Sequence, residues 1–147
     1  MKISQEEALK IRILEFIKQH HIAAIATVNS YSLPEASIVG FAVRHDFTIH
    51  IATYDSSRKF LNLKRNPRVA LVVGWEHGKT VQIEGHAEQI TDPEEIKDIE
   101  WTDLEKMPTV AKYIKPDRAV FLKIIPKWLK YSDFSTEPWK IEELRFI

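Results

Sequence analysis

Cysteine is absent from the chain, so neither a disulfide framework nor a thiolate metal site is possible. An excess of charge is absent too: 21 Lys and Arg balance 21 Asp and Glu. That balance argues against a generic nucleic-acid binder, which carries a basic surplus for the phosphate backbone. No run approaches the roughly 18 apolar residues a spanning helix needs. Met1-Lys2 leads straight into the polar Ser4-Gln5-Glu6-Glu7, without an apolar signal core. The expectation is cytoplasmic residence, with no membrane and no nucleic acid as partner. Neither a Ser-His-Asp spacing nor paired carboxylates in a recognisable setting point to covalent or hydrolytic chemistry. Repeats, low-complexity segments and linkers are also missing, so residues 1–147 are expected to form one domain with one core.

What is present is an ordinary globular mixture, 44% hydrophobic and 29% charged. Ser4 and Glu7 form a capping box, and Leu9, Ile13, Phe16 and Ile17 make an apolar stripe, which predicts an amphipathic helix ending near His20. His20 and His21 are adjacent at that helix end, where neighbours rarely face one ion, and nothing nearby completes a site; no metal is expected. Short apolar segments rich in β-branched residues follow at 22–28, 35–43, 47–53, 69–75 and 80–90, with turn formers between them. Gly85 inside the last of these predicts a bulge or a close backbone approach. Asp92-Pro93-Glu94-Glu95 opens a second long helix, and a short helical turn is predicted over 109–114, after Pro108. Residues 119–125 and 128–131 read as two short strands or one bent strand, and the tail from Ser135 has no clear period. The pattern predicts a mainly β chain with α additions: a barrel of six to seven strands, with helices at the N-terminus and after the fifth strand.

The most informative stretch runs from Ile49 to Trp75. Ile49, Ile51 and Thr53 alternate as a strand, a polar turn follows, and Phe60, Leu61 and Leu63 recur at helical spacing until Pro67 breaks the pattern. Ser56 or Ser57 is the N-cap. The first turn then carries Arg58 and Lys59, where the helix dipole favours acids. Either both cations point to solvent, or an anion sits between them. Free backbone amides, serine hydroxyls, a guanidinium and an ammonium at one helix end make a phosphate pocket.

The segment Ala52-Thr53-Tyr54-Asp55-Ser56-Ser57-Arg58-Lys59, with Asn66-Pro67-Arg68-Val69, Trp75 and Ile83-Glu84-Gly85-His86, resembles the FMN-binding split-barrel family typified by pyridoxamine 5'-phosphate oxidase. The resemblance covers about residues 22–90. It implies a split barrel, bound FMN, a flavin-dependent oxidoreductase activity on an unknown small molecule, and a homodimer with flavin at the subunit interface. It puts Arg58 and Lys59 on the flavin phosphate with Ser57 just before them, and the Thr53 hydroxyl on the phosphate or ribityl chain. It sets the backbone of Ser37, Ile38 and Val39 against the ring edge. Thr80 and Gln82 straddle the place of a ring-contacting glutamine, on one face of the strand, and Gln82 is favoured. Trp75 matches a family tryptophan, as a ring contact or a core residue.

The departures carry weight too. Ser37 and Ala42 stand where the oxidase has arginine and lysine, and its C-terminal substrate signature is not recognisable in residues 139–147. The resemblance therefore does not extend to that enzyme's substrate. Two other readings keep the barrel: a deazaflavin-dependent reductase, drawing on Lys64, Arg65 and Arg68 for a longer anionic tail, or a non-enzymatic flavin or haem carrier, with His50 and His86 as the strand histidines to consider. No catalytic residue is assigned, because a flavin supplies its own redox chemistry and the fold supplies orientation.

Overall fold

The computed structural model describes residues 2–102 and 115–147. Helix α1 (Gln5–Lys18) starts at Ser4, whose hydroxyl accepts the Glu7 amide at 3.1 Å, and its buried face carries Ile13 and Ile17. Then come β1 (Ile22–Val28), β2 (Pro34–Val43), β3 (Ile49–Tyr54), α2 (Arg58–Arg65), β4 (Arg68–Val73), β5 (Lys79–Ile90), α3 (Pro93–Thr102), β6 (Ala119–Asp133) and β7 (Lys140–Arg145). The strands lie in the order β3-β2-β1-β4-β5-β6-β7, all neighbours antiparallel, and β3 also pairs with β6. The first six therefore close a barrel and β7 stays outside it. Closure removes the open edges that a flat sheet of these strands would expose.

Period-two alternation sends Ile25, Phe41, Ile51, Leu71, Ile83 and Leu129 inward, and α2 adds Phe60 and Leu63 to the same core. A smaller cluster of Ala42, Ala52, Ile90, Ile99 and Phe121 lies between the barrel wall and α3. This second layer explains why β3 is buried on both faces. No described helix is long and apolar enough to cross a membrane.

The stretch 119–131 is one continuous bent strand that extends to Asp133. Opposite it, pairing jumps from Glu84 with Trp128 to Gly85 with Pro126, so Lys127 is the extra residue of a bulge. Pro126 has no amide to give the ladder, and the bulge releases it from that demand. The expected four-residue link after β4 is five residues, because Gly74, His77 and Gly78 all adopt left-handed backbone and end β4 at Val73. The tail contributes a strand, β7, that its sequence did not announce. The helical turn expected over 109–114 lies outside the described residues.

Candidate functional site

The loop from β3 into α2 is built by side chains that hold its backbone. Ser57, not Ser56, is the N-cap: its hydroxyl oxygen accepts the Phe60 amide at 3.2 Å. Thr53, only 4 % exposed at the end of β3, donates its hydroxyl to the Ser57 oxygen at 2.9 Å. With both acceptor positions used, the Ser57 proton is left to donate elsewhere. Arg118 fixes the intervening turn, donating to Asp55 at 2.9 and 3.2 Å and to the Ser56 hydroxyl at 3.0 Å. The Leu61 amide takes the Ser57 carbonyl as the first helical bond, which leaves the Arg58 and Lys59 amides at the open helix end.

The cations of that first turn differ in environment. Arg58 is exposed and gives one edge of its guanidinium to Glu35 of β2, Nε to Oε1 at 3.1 Å and Nη2 to Oε2. Of the two readings, cations facing solvent or an anion between them, Arg58 follows neither alone: it is exposed, and its anion is Glu35 of the chain itself. Glu35 also accepts from Asn29 at 3.0 Å and from Asn62 at 2.9 Å. These donors, Arg58 first, then Asn29 and Asn62, lower its pKa from 4.5 to about 2. Lys59 is half-buried, and among the described residues its ammonium has neither an ion-pair nor a hydrogen-bond partner. Burial lowers its pKa, as it must for a cation partly removed from water. Thr27, Glu35, Ala36, Ser37, Arg58 and Lys59 line a cleft of about 550 Å³ at this helix end.

Of the residues singled out from sequence, Ser37, Arg58 and Lys59 line this cleft, while Ser57 precedes them as the helix cap and is bonded to Thr53. Thr53 donates its hydroxyl proton to Ser57, which leaves it only acceptor positions for any other partner. Val39 points into the core, whereas Ile38 is 58 % exposed on the outer face of the barrel. Gln82 is on that same outer face, in a row running Ile38, Ala24, Val72, Gln82 across four strands. Three strand spacings put it about 14 Å from Ile38. Trp75 is 51 % exposed beside Ile22 in a separate cleft of about 700 Å³, lined also by Phe16, His20 and Tyr131. Ile22 and Thr27 are five residues apart on β1, so the two clefts lie about 17 Å from one another along that strand.

Sequence reasoning missed Glu35, Asn62, Asn29 and Arg118. One signal was present: Asn62, 6 % exposed, sits between Phe60 and Leu63 on the apolar side of α2, and a buried amide there needs partners. It donates to Thr27 Oγ1 at 3.0 Å as well as to Glu35. His50 is buried on β3 opposite Ala42 and Lys123, while His86 lies exposed on β5 with β6 between the two strands. No described group of three or more His, Asp or Glu side chains is arranged to hold a metal.

Residues 9–132 match the family model of pyridoxamine 5'-phosphate oxidase. Among curated proteins none matches the sequence. Solved structures share the fold. General stress protein 26 from Bacillus anthracis is 22% identical with TM-score 0.72, over 94% of this chain and 98% of that one. A protein from Clostridium acetobutylicum related to general stress protein 26 is 18% identical with TM-score 0.74, over 95% and 96%. A haem-binding protein from Mycobacterium smegmatis is 14% identical with TM-score 0.76; the match covers 99% of this chain but 59% of that one.

Proposed function

The chain belongs to the pyridoxamine 5'-phosphate oxidase family, and we propose that it is an FMN-binding oxidoreductase acting on a small molecule. The observation that carries this reading is Lys59: a half-buried ammonium, without an ion-pair or hydrogen-bond partner among the described residues, that lines the cleft at the start of α2 together with Arg58. Such a group is stabilised by a phosphate bound against it. The Glu35 pairing leaves Arg58 with both Nη1 protons and one on Nη2 for the same anion. FMN, when bound, supplies the hydride-accepting ring. The chain's part is to anchor the phosphate and to orient the rest against Ser37 and the neighbouring strand.

The working unit in this proposal is a homodimer with flavin at the subunit interface. In support, the outer face between Ile38 and Gln82 is apolar and shallow, made of Ala36, Ala26 and Ala70 in one row and Ile38, Ala24 and Val72 in the next. Small side chains let two sheets approach closely, and a face of this kind favours burial against another.

FMN is preferred over a deazaflavin because the cleft has one set of phosphate donors. Lys64 is over the Phe60 ring, Arg65 faces the β1–β2 loop, and Arg68 lies near His86, so none of the three lines the Lys59 cleft. It is preferred over haem because His50 is enclosed in the wall and His86 stands on another strand. The test is the visible spectrum of purified protein after FMN addition and removal of the excess. Wild type is expected to keep a flavin spectrum and the double variant Arg58→Ala, Lys59→Ala to lose it. Absence of retained flavin in the wild type at micromolar protein defeats the reading.

A further inference from the structure

Glu35 is held from three sides. Asn29 brings it the β1–β2 loop, whose own turn is tied by the Tyr31 and Leu33 amides on the Asn29 oxygen at 2.9 and 3.0 Å. Asn62 brings it α2 and, through Thr27, the wall of β1. Arg58 then docks on a carboxylate that two other donors already fix. The grip is side-on, at Nε and Nη2, which is the pairing that leaves the outer edge of the fork unobstructed.

We propose that Glu35 is the positioning residue of the phosphate cleft: it clamps one edge of the Arg58 guanidinium so that the opposite edge faces the phosphate monoester of the bound cofactor. This inference rests on the FMN reading above. An Arg side chain at an exposed helix start otherwise samples many rotamers, and a phosphate arriving there must order it. With Glu35 in place that ordering is already done. The competing role, in which Glu35 merely blocks Arg58 until phosphate displaces it, demands that two charge-assisted hydrogen bonds break on binding. It also predicts the opposite sign for removal of the carboxylate.

The experiment is an FMN titration by flavin fluorescence of the full chain as wild type, Glu35→Ala, Arg58→Ala and the Glu35→Ala, Arg58→Ala double variant, with a thermal melt of each. Positioning predicts roughly tenfold weaker FMN binding for Glu35→Ala. It further predicts that the double variant is no weaker than Arg58→Ala alone, because Glu35 acts through Arg58. Unchanged or tighter binding in Glu35→Ala overturns the proposal, as does a double variant in which the two losses add. If Glu35→Ala does not fold, the isosteric Glu35→Gln takes its place. Its amide meets the surrounding donors with half the acceptors, so the same direction is expected. A wild type that takes up no FMN removes the function reading and this inference together. A wild type that binds while Glu35→Ala binds equally well removes the inference alone.

Discussion

Gly85 of β5 lies so close to Ile125 of β6 that a Cβ added to it would stand 2.3 Å from the Ile125 carbonyl oxygen. The obstacle is backbone, at the bulge where Lys127 drops out of the pairing, so no rotamer change relieves it. Gly85→Ala is expected to destabilise the barrel by about 1–3 kcal/mol through overpacking. Urea denaturation of the two proteins measures this, and an unchanged midpoint would show that β5 and β6 can separate enough at the bulge to admit a methyl group.

The two serines before α2 separate by role. Ser57 caps the helix and accepts the buried Thr53 proton, whereas Ser56 only receives Arg118 at an exposed turn. Ser57→Ala is expected to cost about 1–2 kcal/mol, and Ser56→Ala about 0.5 kcal/mol or less. Equal costs for the two in thermal or urea unfolding would refute the cap assignment.

How far such features were legible in the sequence depended on whether their cause was local. The capping of α1, the break at Pro67 and the cations at Arg58 and Lys59 all rest on neighbouring residues, and each was readable; Gly85 showed only as a glycine inside a strand, its close approach to Ile125 being set by β6. β7 was not. Of its six residues only Leu144 is buried, because the strand lies outside the barrel and has no full apolar face to show. The 119–133 stretch was ambiguous because Pro126 looks like a break until β5 supplies the bulge that accommodates it. At the site, Arg58 and Lys59 stood out because two cations in a first helical turn break a helix rule. Glu35 did not: its tie to Arg58 spans 23 residues and exists only once α2 closes against the β1–β2 hairpin.

Glu35 also predicts an acid response. Its pKa is about 2 in the folded chain against an ordinary 4.5, so the carboxylate form is favoured by folding. The stability it contributes is fully present above about pH 4.5 and is lost as pH falls toward 2, where the folded protein too becomes protonated. The stability difference between wild type and Glu35→Gln should therefore be constant from neutral pH down to about 5 and shrink below it. Urea midpoints taken at intervals from pH 7 to pH 3 follow this directly. A difference that stays level down to pH 3 would mean that Arg58, Asn29 and Asn62 do not act on this carboxylate in solution.

The dimer proposal can be tried at Ala26, which sits between Ala36 and Ala70 in the shallow row of the outer face. A glutamate there points away from the core, so the barrel itself should fold with little change. Two copies brought together on this face would instead bury two like charges, next to the exposed Glu84 that continues the row beyond Ala70. Ala26→Glu is thus expected to halve the mass measured by light scattering while leaving the melting temperature of the separated chains close to that of an isolated barrel. If flavin is held between subunits, retained FMN should fall with the mass, although Ala26 is no part of the Lys59 cleft. Wild-type mass and flavin both preserved in this variant would move the subunit contact to another face. Loss of dimer with flavin retained would leave the Arg58 and Lys59 cleft sufficient within one chain and make the second copy dispensable for binding.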